Sequence, residues 1–109
     1  MDGPPEIRAT PRAVLLVLAG SQEGARIPLV HDESILGRSP RADVTFSDEG
    51  VSREHAFLCF DAASEAWTLE DLQSTNGTRV NGKRVRSCSL SSGDEIQIGH
   101  VRLRFTPNT

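Results

Sequence analysis

Two short polar runs hold the side chains best equipped to bind an oxyanion. Ser52-Arg53 and Ser74-Thr75-Asn76 supply hydroxyls, an amide and a guanidinium, with no aliphatic residue among them. Hydroxyls and amides donate single hydrogen bonds, and a guanidinium offers a planar fork of N–H donors that matches phosphate or carboxylate. His55 follows Ser52 by three residues, which raises a nucleophile and base as a second chemistry. That pair needs an orienting carboxylate and an oxyanion hole on a nucleophile turn, and no Gly-x-Ser-x-Gly element exists here. Binding without catalysis is therefore expected, and no catalytic residue is assigned. A metal is no better served by His55, Cys59, Cys88 or His100, since residues four apart on a strand lie about 13 Å apart. Neither metal nor cofactor is expected.

These runs need elements to hold them, and hydrophobic alternation supplies strands. Val14 to Leu18 is a short apolar run ended by Gly20-Ser21, followed by strands over Arg26 to Val30 and Ser34 to Arg38. A short apolar piece, Val44 to Phe46, precedes the loop 47–54. His55 to Asp61 alternates Ala56, Leu58 and Phe60 against His55, Phe57 and Cys59, which predicts a strand buried on both faces. It forms a hairpin with Ala66 to Asp71. Asn81-Gly82 is the strongest hairpin signal, between Thr78–Val80 and Lys83–Val85, and is read as structural. Glu95–Ile98 and Val101–Phe105 make the last hairpin. The pattern predicts an all-β sandwich of two sheets with about ten short, mostly antiparallel strands.

Hairpin geometry already brings loops 47–54 and 72–77 to one end of this sandwich, because they flank the antiparallel pair 55–61 and 66–71. Arg38 is not placed that way. Strand parity sends the loops before and after residues 44–46 to opposite ends.

Taken together, Gly37-Arg38, Ser52-Arg53-Glu54-His55, Ser74-Thr75-Asn76-Gly77-Thr78 and Val80-Asn81-Gly82 resemble the forkhead-associated domain, in order and spacing, from about Ala13 to Phe105. The resemblance implies an eleven-stranded sandwich whose apical loops bind phosphothreonine peptides, with Arg38 at the same end as the other loops. Carried over by position, Arg38 and Ser52 contact the phosphate, Arg53, Ser74 and Thr75 support them, and Asn76 holds the peptide main chain. Gly37, His55, Gly77, Asn81 and Gly82 shape the loops. The implied partner is a Thr-phosphorylated protein or peptide, such as a Ser/Thr kinase or its substrate. A forkhead-associated domain that no longer requires phosphate is the alternative.

Bulk composition fits one domain. The chain has 109 residues, 37% apolar and 25% charged, with net charge −3. Its acidic balance and its single Trp and lack of Tyr argue against nucleic acid, and no apolar run reaches the length of a membrane helix. Two cysteines and an N-terminus without signal-peptide character point to the cytoplasm. Eleven of the 12 basic residues are arginine. Arg102 and Arg104 alternate with apolar neighbours and read as a solvated face. Residues 1–12 read as a flexible arm, 13–106 as the domain and 107–109 as a tail. Thr10-Pro11 lies on the arm, where a phosphorylated Thr10 could bind the domain in cis or between copies.

Overall fold

The computed structural model describes residues 10–108. Eleven strands form two sheets, and no helix occurs among the described residues. The strands are β1 Ala13–Ala19, β2 Arg26–Leu29, β3 Glu33–Gly37, β4 Val44–Thr45, β5 Ala56–Asp61, β6 Ala66–Asp71, β7 Thr78–Val80, β8 Lys83–Val85, β9 Ser87–Leu90, β10 Glu95–Ile98 and β11 Val101–Pro107. One sheet has the order β2-β1-β11-β10-β7-β8 and the other β4-β3-β5-β6-β9. All strand pairs are antiparallel except β3 with β4.

Period-two burial explains how the sheets face each other. Leu15, Val17, Ile96, Ile98, Leu103 and Phe105 point inward from one sheet and meet Leu36, Leu58, Trp67 and Leu69 from the other. Trp67 locks the layers together: its ring meets Phe105 nearly edge-on at 5.6 Å and Phe60 at 5.3 Å. Each such buried side chain contributes about 1.5–3 kcal/mol.

Several expectations change. β5 is buried on one face only, because Phe57 and Cys59 lie half-buried on the outer side of the sandwich. β9, which was not identified from the sequence, adds an edge strand beside β6 through Trp67↔Leu90 and Leu69↔Cys88. β11 runs to Pro107, two residues beyond the expected strand end at Phe105, and Asn108 continues the contact by donating its main-chain N–H to the Arg12 carbonyl at 2.6 Å. Arg12 itself pairs with Asp32 at 2.6 Å and lies over the Phe60 ring at 4.2 Å. Residues 1–9 of the expected arm lie outside the described residues.

The parity problem of Arg38 is settled by the direction of β4. Leu36 pairs with Val44 and Gly37 with Thr45 in parallel, so the chain doubles back over residues 38–43 and both strands end at the same, apical, end. The loops β3–β4, β4–β5 and β6–β7 therefore meet there.

Candidate functional site

The first two apical loops are stitched by their main chains. Arg38 N donates to Ser52 O at 2.9 Å and Ser39 N to Arg53 O at 3.1 Å. Gly37 permits this approach, since a Cβ there would stand 2.0 Å from the Arg53 carbonyl oxygen. The exposed Arg38 side chain then reaches across and donates Nε to Val51 O at 3.0 Å. One N–H of the guanidinium is thereby committed, and its two terminal nitrogens keep their donors for an anion.

A buried histidine joins the second loop to the third. Ser52 N donates to His55 Nδ1 at 3.0 Å, which places the ring proton on Nε2 facing Gly77 O at 2.8 Å. His55 is fully buried, so this bridge sits beneath the loops. Above it, Thr75 N donates to Ser52 Oγ at 3.0 Å, and Asn76 Nδ2 donates to Gly50 O at 2.9 Å. Ser52 accepts one bond and retains its own O–H to donate. Asn76 retains its side-chain oxygen and one N–H.

The loop 72–77 is folded around Asp71. Its Oδ1 accepts Ser74 Oγ at 2.5 Å and Thr78 Oγ1 at 2.7 Å, and its Oδ2 accepts Ser74 N at 3.2 Å. Burial raises the Asp71 carboxyl, but these bonds outweigh it and hold the group below the ordinary range. Ser74 Oγ also accepts from Gly77 N at 2.9 Å. Ser74 Oγ is thus engaged within its own loop, where it ties Asp71 to Gly77. Asp71 was not singled out in the sequence; the Asp-x-x-Ser spacing was its available signal.

Arg38, Arg41, Ser52, Arg53, Gln73 and Thr75 line one open cleft, with Glu54 its single carboxylate. Asn76 stands at the rim of a neighbouring cleft with Arg79, Gln97 and His100. Gln73 was missed as a lining residue because loop packing, not spacing, brings it in. Asn81 and Gly82 form the β7–β8 turn with φ of 52° and 84°, at the end of the sandwich away from the cleft. They shape that turn, where Asn81 Nδ2 donates to Asp94 at 2.9 Å, and not the apical loops. Guanidinium, hydroxyl and main-chain donors converging on one open cleft can hold a tetrahedral anion borne by a peptide.

Comparisons with known proteins agree on this architecture. The FHA domain family model matches residues 34–99. The chain is 41% identical over 93 residues to an oxoglutarate dehydrogenase inhibitor of Corynebacterium jeikeium, covering 85% of this chain and 63% of that one. It is 40% identical over 93 residues to the glycogen accumulation regulator GarA of Mycobacterium tuberculosis H37Rv, covering 85% and 56%. The chain thus spans less than two thirds of these curated relatives. A domain solved in a structural and functional analysis of phosphothreonine-dependent FHA domain interactions superposes with a TM-score of 0.80 at 34% identity, over 89% of this chain and 97% of that one. By sequence and by fold, the chain belongs to the forkhead-associated (FHA) domain family.

Proposed function

We propose that the chain is a phosphothreonine-dependent protein-binding module of Ser/Thr kinase signalling, which acts on its partner by binding and not by catalysis. The observation that carries this reading is the Arg38 guanidinium, tied through Nε to Val51 O and set in one cleft with Ser52, Arg53 and Thr75. Arginine clusters are a recurring means of recognising phospho-motifs, FHA domains among them. A phosphothreonine brings about −1.5 to −2 charge at neutral pH, and each charge-assisted hydrogen bond contributes about 1.5–3 kcal/mol. Three or four of them, less ordering costs, give affinity of about micromolar. The regulator and inhibitor names of the relatives support a role in controlling a partner protein.

Titration with phosphothreonine, phosphoserine and unmodified versions of one peptide tests the proposal. The phosphothreonine form is expected to bind at about micromolar Kd and the unmodified form at least about 100-fold more weakly, the loss of a charged hydrogen-bonded group. Arg38→Ala is expected to remove about 3 kcal/mol of binding with the thermal midpoint unchanged. Equal binding of all three peptides would instead support an FHA-fold interaction domain that no longer needs phosphate.

A further inference from the structure

The outer face of the six-stranded sheet concentrates positive charge in a chain whose net charge is −3. Strand register puts Arg84, Arg79, Gln97 and Arg102 in one row across β8, β7, β10 and β11, and Glu95, Arg104, Leu16 and Arg26 in the row beneath. Their strand neighbours Val80, Ile96 and Leu103 are buried, so both rows face outward. Five of the 12 basic residues are here against one of the 15 acidic ones, Glu95, which is ion-paired with Arg102 at 2.7 Å. Arg79 and Arg84 stand directly opposite each other, an arrangement that disfavours the hairpin.

This face is continuous with the apical site. Arg79 and Gln97 wall the cleft that also holds Asn76 and His100, and the Arg84 guanidinium covers Gly77 so closely that a Cβ there would lie 2.6 Å from its Nε. The row from Arg84 to Arg102 crosses three strand spacings, about 14 Å, which four or five extended residues span. Resting on the phosphopeptide reading, we propose that this arginine face extends the binding site and takes a run of acidic residues adjoining the phosphothreonine of the partner. Charge complementarity selects the acidic peptide. Nucleic acid fits less well: the chain is acidic overall, which disfavours a duplex, and the two rows carry no aromatic side chain on which the bases of a single strand could stack.

The test compares two phosphothreonine peptides that differ only in carrying four glutamates or four neutral residues beside the phosphothreonine, on each side in turn. The wild-type chain is expected to bind an acidic-flank form about tenfold more tightly at 50 mM salt, with the advantage shrinking toward 0.5 M salt as screening sets in. Arg102→Gln with Arg104→Gln, both exposed, is expected to cut that advantage to about threefold or less while neutral-flank affinity and the thermal midpoint stay unchanged. Equal wild-type affinity for acidic and neutral flanks overturns the proposal and leaves phosphothreonine binding standing; an advantage kept in full by the double variant does the same. Absence of binding to every phosphopeptide sinks both readings. Tighter binding of a 20-base-pair duplex than of the acidic peptide, lost in the double variant, assigns the face to nucleic acid and overturns the proposal.

Discussion

His55 shows how a single side chain governs a site it does not line. It is fully buried, and its two nitrogens join Ser52 N in one loop to Gly77 O in the next. Replacing it by alanine leaves a buried donor and acceptor unpaired and a ring-sized void. His55→Ala is expected to cost about 3 kcal/mol, which in a domain of this size lowers the thermal midpoint by about 10–20 °C. Phosphopeptide affinity is expected to fall with it, although His55 makes no contact in the cleft; calorimetric unfolding beside peptide titration checks both. Asp71 gives a pH counterpart. Its folded pKa lies below the ordinary 3.8 because the Ser74 and Thr78 bonds outweigh burial. Its contribution to stability is therefore present above pH 4 and lost as pH falls through the lowered folded value. Thermal unfolding from pH 6 down to pH 2 is expected to show a smaller acid loss in Asp71→Asn than in the wild type. Equal acid losses would remove Asp71 from the loop's support.

At the scale of elements, the decisive contact is the crossing of the β3–β4 and β4–β5 loops at Gly37. A Cβ at that position would meet the Arg53 carbonyl oxygen at 2.0 Å, and backbone cannot yield as a side chain can. Gly37→Ala is expected to force the two loops apart, cost about 3 kcal/mol and abolish peptide binding; circular dichroism melts and the same titration read both effects. The contrast between strands explains what the sequence could and could not reveal. β5, β6, β10 and β11 were legible because alternation over four or more residues fixes face and partner together, and Asn81-Gly82 dictates its own turn. β9 escaped because Ser87 and Ser89 are polar and exposed and only Leu90 is buried, so its pairing with β6 supplies the evidence that its sequence lacks. The parallel approach of β4 escaped because two residues carry no periodicity, and with it went the position of Arg38 from spacing alone. The orientation of Ser74 was hidden for a different reason. Residue type announces a donor, but the carboxylate of Asp71 three positions earlier decides which way it points.

For the molecule as a whole, the apical cleft and the start of β1 lie at opposite ends of the sandwich, and this constrains any self-recognition through Thr10. The apical loops lie where β3 and β4 end, whereas β1 begins at the opposite end: Ala13 pairs with Leu29, the last residue of β2, which leads directly into β3. Thr10 is exposed there, only three residues ahead of β1. The segment between them is held at that end by Asn108 Nδ2 donating to Pro11 O at 3.2 Å and by the Arg12–Asp32 pair. From the Asp32 level, set by its carbonyl accepting Phe60 N, to the Ala56 level is about 13 Å of strand, before the loops are counted. A single extended residue covers about 3.5 Å. While Pro11 and Arg12 stay bound, a phosphate on Thr10 is too short-tethered to reach the cleft of its own domain, so binding of that phosphate by the cleft requires a second copy. Phosphorylation of Thr10 is accordingly expected to produce concentration-dependent dimers, visible by light scattering behind size exclusion and dispersed by Arg38→Ala or by excess phosphothreonine peptide. A monomer whose cleft is blocked at every concentration would mean that the Arg12 anchorage opens and the arm folds back. Arg12→Ala bears on the same choice, since freeing the arm is expected to shift the phosphorylated chain from dimer toward self-closed monomer.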